Sequence, residues 1–211
     1  MIVAVDGPVA AGKGTLARRL AQHFGLAYLE TGALYRAVGL SVLRAGGDPA
    51  DETAALAAVD RLRPEDLNDP ALREERTGEA ASVVAAMPAV RAALLDYQRA
   101  FAANPPDGQS GAVLDGRDIG TVVCPAAEVK LFVTASAEER ARRRYEELVA
   151  RGELVGYDAV LADLRRRDAR DAERAVAPLK PADDAYLLDT TDLDIEAAFV
   201  AACAIVAKQR A

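Results

Sequence analysis

At 211 residues, 51% of them hydrophobic, the chain is long enough to bury a full core, and the length fits a single domain. A formal charge of −7 argues against a clamp for polymeric nucleic acid, which needs a basic face, and leaves small nucleotides open. Cys124 and Cys203 are too few for a disulfide framework and no Cys/His cluster marks a metal site; with no run near the roughly 18 apolar residues of a membrane span and no signal-peptide pattern, we expect a cytoplasmic protein.

The apolar run Ile2–Asp6 predicts a buried strand. Gly7, Pro8, Val9, Ala10, Ala11, Gly12, Lys13, Gly14 and Thr15 follow it and open a helical pattern at Leu16, Leu20 and Phe24, the order of a phosphate-binding loop. Glycines at 7, 12 and 14 let the backbone turn sharply and aim N–H groups inward, and Lys13 brings a full charge to the β- and γ-phosphates. Gly14 stands directly after Lys13, so the hydroxyl comes one residue later, at Thr15. This is the spelling of small kinases, in which Thr15 either reaches Mg²⁺ or faces a phosphate oxygen while ATP and water hold the metal. The single histidine, His23, is expected to lie at the surface or to pack at a helix end.

Further apolar runs at Ala27–Glu30, 112–115, Val129–Thr134 and 185–189 complete a five-stranded parallel sheet. Ile195, Ala198, Phe199, Ala202, Ile205 and Val206 mark a closing helix. The expected fold is α/β with helices on both faces, its ligand cleft beyond the carboxyl ends of the strands, where Gly7, Glu30, Gly116 and Thr190 gather. Between the second and third strands, residues 46–110 show helical pieces broken by Pro49, Pro64, Pro70, Pro88 and a loop at 104–108. That is a mostly helical insertion, from which a substrate-covering arm can hang.

Charged residues cluster where such a cleft would lie. Helical spacing after the second strand puts Thr31, Tyr35 and Arg36 close on one side. The third strand ends in a turn bearing Asp115, Arg117 and Asp118, where Asp115 either holds Mg²⁺ through water or caps the Gly116 turn. Across 140–174, Glu146, Glu147, Glu153, Asp158, Asp163 and Asp168 sit at ion-pairing spacings among arginines, so most of that stretch reads as a solvated face. Gly152 and Gly156 predict a hinged lid there, with an arginine such as Arg143 or Arg151 closing over ATP. Arg167, Asp171 and Arg174 recur at i, i+4, i+7 on one helical face.

Taken together, the segments 7–15, 31–36, 80–86 with Ser82, 90–95 with Arg91, 115–123 and 167–178 resemble the bacterial cytidylate kinases, P-loop nucleoside monophosphate kinases that phosphorylate CMP and dCMP from ATP. The resemblance spans nearly the whole chain. It implies one P-loop kinase domain over 1–211, with a helical NMP-binding insertion at about 31–105 and a short lid at about 145–160. It implies that Lys13, Arg117 and Arg174 serve the transfer; that Arg36, Arg117 and Arg174 hold the CMP phosphate; that Ser82, Arg91 and Asp118 read cytosine; and that Thr31, Arg167 and Asp171 hold the sugar, with Tyr35 in the same CMP-binding set. The implied partners are ATP with its Mg²⁺ and CMP or dCMP, with no polymeric nucleic acid and no membrane, for a monomer. The pattern departs from the family at two places: Glu30-Thr31 stands where Asp-Ser is frequent, and the insertion near 60–80 lacks the β-rich piece that many members carry. Adenylate, shikimate and dephospho-CoA kinases share the loop and differ in their acceptor, while a GTPase-like switch would need an Asn-Lys-x-Asp signature that the chain does not contain.

Overall fold

The structure is a computed structural model and describes residues 1–210. Strands β1 (Ile2–Asp6), β2 (Ala27–Glu30), β3 (Ala112–Gly116), β4 (Val129–Thr134) and β5 (Tyr186–Asp189) form one parallel sheet in the order β2-β3-β1-β4-β5. The sequence-based strand ends differ by one residue at β3 and at β5. Because β1 lies in the middle, both of its faces are covered, and Val3, Ala4 and Val5 are fully buried. A strand in that position has no polar face to alternate with, which is why the run was continuous in the sequence.

Alternate residues of β1 feed opposite layers. Val3 and Val5 pack with Leu16 and Leu20 of α1 (Lys13–Phe24) and with Ala202 and Val206 of the closing helix (Ile195–Arg210). Ala4 joins Leu29 and Leu114 against Ala102, Leu95 and Phe101 of the helix Pro88–Ala103. Numbered in chain order, the helices between these two ends are α2 (Thr31–Arg44), α3 (Glu52–Asp60), α4 (Glu75–Val84), α5 (Pro88–Ala103), α6 (Ala137–Ala150) and α7 (Tyr157–Ala172), and the closing helix is α8.

The insertion between β2 and β3 contains helices and short 3₁₀ turns only, with its own core of Leu34, Val38, Val42, Ala55, Val84, Val90 and Leu94. Pro64, Pro70 and Pro88 each stand at the start of a helical segment rather than inside one. Proline lacks the N–H that a first helical position would leave unused, so these residues begin elements where the sequence reading took them as breaks. α2 and α4 cross at Gly39, where an added Cβ would come within 2.9 Å of the Ala80 Cβ. On the other side of the cleft, α6 and α7 form a hairpin over a small core of Ala141, Leu148, Val160 and Leu164, and Gly152 (φ +82°) turns the chain between them.

The loop leaving β1 is pinned against β4. Gly7 has φ +146°, and an added Cβ would lie 1.9 Å from the Val133 carbonyl oxygen. Gly7→Ala is therefore expected to cost about 3 kcal/mol of stability, because the clash is with backbone and the dihedral suits only glycine. Thermal melting checks this, and an unchanged melting temperature would show that the loop has room to shift.

Candidate active site

The phosphate-loop geometry follows from its small residues. Gly12 sits in the left-handed region (φ +83°) and caps α1 without a side-chain hydrogen bond, and the first turn carries no acid. The N–H groups of that turn therefore have no side-chain acceptor and present positive potential towards the cleft. Lys13 folds back over the loop, its Nζ donating to the Pro8 carbonyl at 2.7 Å. Burial pushes its pKa well below the ordinary lysine value and the nearby Arg117 charge lowers it further, with Asp115 and Asp6 only partly offsetting this.

Two buried acids at adjacent strand ends stand beside Lys13. The Asp6 carboxylate accepts from the amides of Ile119 (2.8 Å) and Gly120 (2.7 Å), the two residues that follow Asp118. Burial raises its pKa to about 6, against the lowering effect of those two amides. Its grip sets the short π-helical turn Ile119–Val123, in which Val123 N–H reaches back to the Asp118 carbonyl and Cys124 N–H to that of Ile119. Asp115, one strand over, accepts the Tyr28 hydroxyl at 2.9 Å, and burial raises its pKa as well. The Arg18 guanidinium lies 5.1 Å from the centre of the Tyr28 ring. Thr15 is exposed at the cleft.

Opposite the loop stands a group of guanidinium side chains, each matched to an acid. Arg36 pairs with Glu30, and Arg91 with Asp118; the Arg91 guanidinium also lies 5.7 Å from the centre of the Tyr35 ring. Asp171 is shared between Arg117, whose Nε is 2.9 Å away, and Arg174. Burial lowers the Arg174 pKa, and the surrounding arginines add to that effect while Asp171 opposes it. The Thr31 hydroxyl donates to the Asp115 carbonyl at 2.7 Å, and Ser82 accepts from Arg170 at 2.7 Å. Arg167 is 2.8 Å from Glu75 and 2.9 Å from Asp163.

One cleft of about 1330 Å³ is lined by Val9, Ala10, Gly12, Lys13, Gly14 and Thr15 on the loop side. Thr31, Tyr35, Arg36, Ser82, Arg91, Arg117, Asp118, Arg167 and Asp171 line the same cleft from the arm, the β3 turn and α7, and Arg174 joins them from beyond the end of α7 rather than from the helical face expected for it, because the helix stops at Ala172. Gly7, Pro8 and Ala11 are buried beneath the loop and shape it from behind. Of the two lid arginines singled out in the sequence, Arg151 lines the cleft and donates to the Arg73 carbonyl at 3.2 Å. Arg143 instead bonds Glu139 and the Thr190 carbonyl and is not among the lining residues. His23 packs edge-on against Phe24 and Phe199 at the end of α1.

Asp6, Tyr28 and Glu75 carry no motif and were not read as site residues. Asp6 and Tyr28 did leave a trace: an acid closing the first strand, and an aromatic hydroxyl two residues before Glu30 on the same face of β2. Among the described residues no group of three or more His, Cys, Asp or Glu side chains could hold a metal ion.

Comparison with known proteins gives consistent results along the whole chain. The family model described as cytidylate kinase matches residues 3–208. A protein named cytidylate kinase from Paramagnetospirillum magneticum is 61% identical over 209 residues, covering 99% of each chain. Another of the same name, from Methylobacterium sp. strain 4-46, is 66% identical over 206 residues, covering 98% of this chain and 96% of the relative. Among solved structures, an uncharacterized protein from Eubacterium ventriosum shares the fold with a TM-score of 0.57 at 11% identity, covering 100% of this chain and 99% of the other.

Proposed function

Because the chain belongs to the cytidylate kinase family and is a nucleoside monophosphate kinase that passes the γ-phosphoryl group of ATP to CMP or dCMP, we propose how its own residues divide that work. The loop 7–15 seats the ATP phosphates, with Lys13 at the β/γ end. Arg36, Arg117 and Arg174 hold the CMP phosphate in line with it. Ser82, Arg91 and Asp118 read cytosine, while Thr31, Arg167 and Asp171 face the sugar and Tyr35 lines the same pocket. The observation that carries this assignment is the single cleft in which Lys13 faces Arg117 and Arg174 across the end of the sheet.

Phosphoryl transfer asks the protein for alignment and for cations around the transferring oxygens. A phosphate nucleophile is ionised near neutral pH, so no histidine or carboxylate base is needed. Asp171 holds Arg117 and Arg174 with one carboxylate, which fixes the spacing of two cations that would otherwise repel. For the base, a carboxylate at Asp118 accepts from the cytosine N4 amino group, whereas uracil presents a carbonyl there. One lost charge-assisted hydrogen bond, about 1.5–3 kcal/mol, gives a preference for CMP over UMP of about ten- to a hundredfold.

Mg²⁺ fits as an ion carried in with ATP. The residues we assign to it are the exposed Thr15 hydroxyl and the Asp115 carboxylate, the latter already accepting from Tyr28. When bound, the ion neutralises charge on the β- and γ-phosphates. We read the enzyme as a monomer, which size-exclusion chromatography with light scattering tests. No single helix among the described residues is long and apolar enough to cross a membrane.

Turnover with Mg·ATP and each nucleoside monophosphate in turn tests the base assignment: CMP and dCMP should lead, and equal rates with UMP would remove Asp118 from base reading. Asp171→Ala tests the rest. Freeing both arginines should lower kcat/KM by about a hundredfold for CMP and dCMP alike, and losing a contact to the 2′-hydroxyl should add about fivefold for CMP alone. Identical losses with the two acceptors would leave Asp171 with the arginines and take it off the sugar.

A further inference from the structure

Glu75, the first residue of α4, joins the arm to both helices of the hairpin across the cleft. One carboxylate oxygen lies 2.7 Å from Arg144 of α6, and the other lies 2.8 Å from Arg167 of α7. Arg167 meets a second acid, Asp163, at 2.9 Å through its Nε, and its guanidinium rests over Gly78, where an added Cβ would come within 3.2 Å of it. The side chain is therefore boxed on three sides, two of them belonging to the arm.

A solvated ion pair between long side chains contributes little, because holding them still costs entropy. Here the two arginines are only 19% and 14% exposed, and each oxygen of the acid serves a different one, so little freedom remains to be lost. Burial disfavours the Glu75 charge, but Arg144 and Arg167 outweigh it and keep the carboxyl below its ordinary pKa. Glu75 is the acid in the first turn of α4, where a carboxylate suits the helix N-terminus, but that place alone calls for no partner across the cleft, and α4 packs on α2 through Ala80 and Ala81 around Gly39.

We propose that Glu75 is a positioning residue, which aims Arg167 at the sugar of the acceptor nucleotide and, through Arg144, ties that aim to the position of α6. This rests on the assignment of Arg167 to the sugar given above. A carboxylate between the arm and the hairpin then makes acceptor binding depend on the two being brought together, without Glu75 touching the nucleotide.

The test is a double-mutant cycle on steady-state kinetics with CMP, using Glu75→Gln, Arg167→Ala and the pair together. Glu75→Gln should raise KM for CMP about tenfold, the size of one lost charge-assisted contact, with kcat and KM for ATP within about twofold. Arg167→Ala should raise the same KM about as much, and the double variant should be no worse than Arg167→Ala alone. Arg144→Gln, which removes the link from Glu75 to α6, should raise KM for CMP in the same direction. Multiplying effects, about a hundredfold in the double variant, would show that Glu75 acts independently of Arg167 and overturn the inference. A full Arg167→Ala effect beside an unchanged Glu75→Gln would overturn it alone, and an Arg167→Ala variant with unchanged KM for CMP would sink the sugar assignment and this inference together.

Discussion

Lys13→Ala is expected to lower kcat by about three orders of magnitude while the far-ultraviolet circular dichroism spectrum and the melting temperature hold steady or the latter rises. The first half follows from where the charge stands: Lys13 is buried beneath the loop and directed by the Pro8 carbonyl, so no other side chain can move into its place. The second half follows from its pKa. Lowered in the folded chain, it means that the unfolded chain binds the extra proton, so the charged lysine disfavours folding. That penalty is complete below the folded-state pKa and is relieved as pH rises towards the ordinary lysine value. A residue that destabilises the fold when charged is kept for what it binds. The same shift gives kcat/KM for ATP a fall with rising pH that begins well below the pH at which an exposed lysine titrates, whereas kcat at saturating ATP should fall later, because bound phosphates favour the charge. A normally active Lys13→Ala enzyme, or a flat profile for kcat/KM, would remove this lysine from the transfer step.

Asp118→Asn is expected to reduce the preference for CMP over UMP to within about threefold, since an amide can turn to offer either an acceptor or a donor to the base. It should also destabilise. Asp118 and Arg91 are both almost fully buried and paired with each other, so the change leaves a buried guanidinium facing a neutral group. We expect a loss of about 2 kcal/mol, a fall of about 4–8 °C in melting temperature for a domain of this size. The two readouts separate two roles. Retained selectivity with a lowered melting temperature would make Asp118 the partner of Arg91 and nothing more, and acceptor competition assays beside a thermal melt distinguish the cases.

The inner strands β1, β3 and β4 could be read to within a residue because a parallel strand with neighbours on both sides is an unbroken apolar run, whereas the edge strand β5, read as part of the same buried rhythm, leaves Tyr186 and Leu187 exposed. The phosphate loop was readable for a related reason: Gly7, Gly12 and Lys13 do their work within one short segment. What the sequence hid depends on residues far apart along the chain. Asp6 meets the amides of Ile119 and Gly120, and Glu75 meets Arg144 and Arg167; in neither case does any local spacing announce the encounter. Arg143 and Arg151 looked interchangeable in a stretch crowded with arginines, and only the packing of α6 turned the first towards Thr190 and the second towards the arm. The prolines of the insertion could equally have ended helices or begun them, and only the fold showed which.

The Asp6 carboxylate links the strand that leads into the phosphate loop with the turn that carries Asp118, and β1 and β3 run in register with Asp6 opposite Gly116. The loop and the turn are thus mounted on neighbouring rails of one sheet, about 4.8 Å apart. The gap between them is a ruler whose length is set without any part of the helical insertion. The arm can therefore vary in length without altering that distance, whereas a single change at Asp6 would reset it.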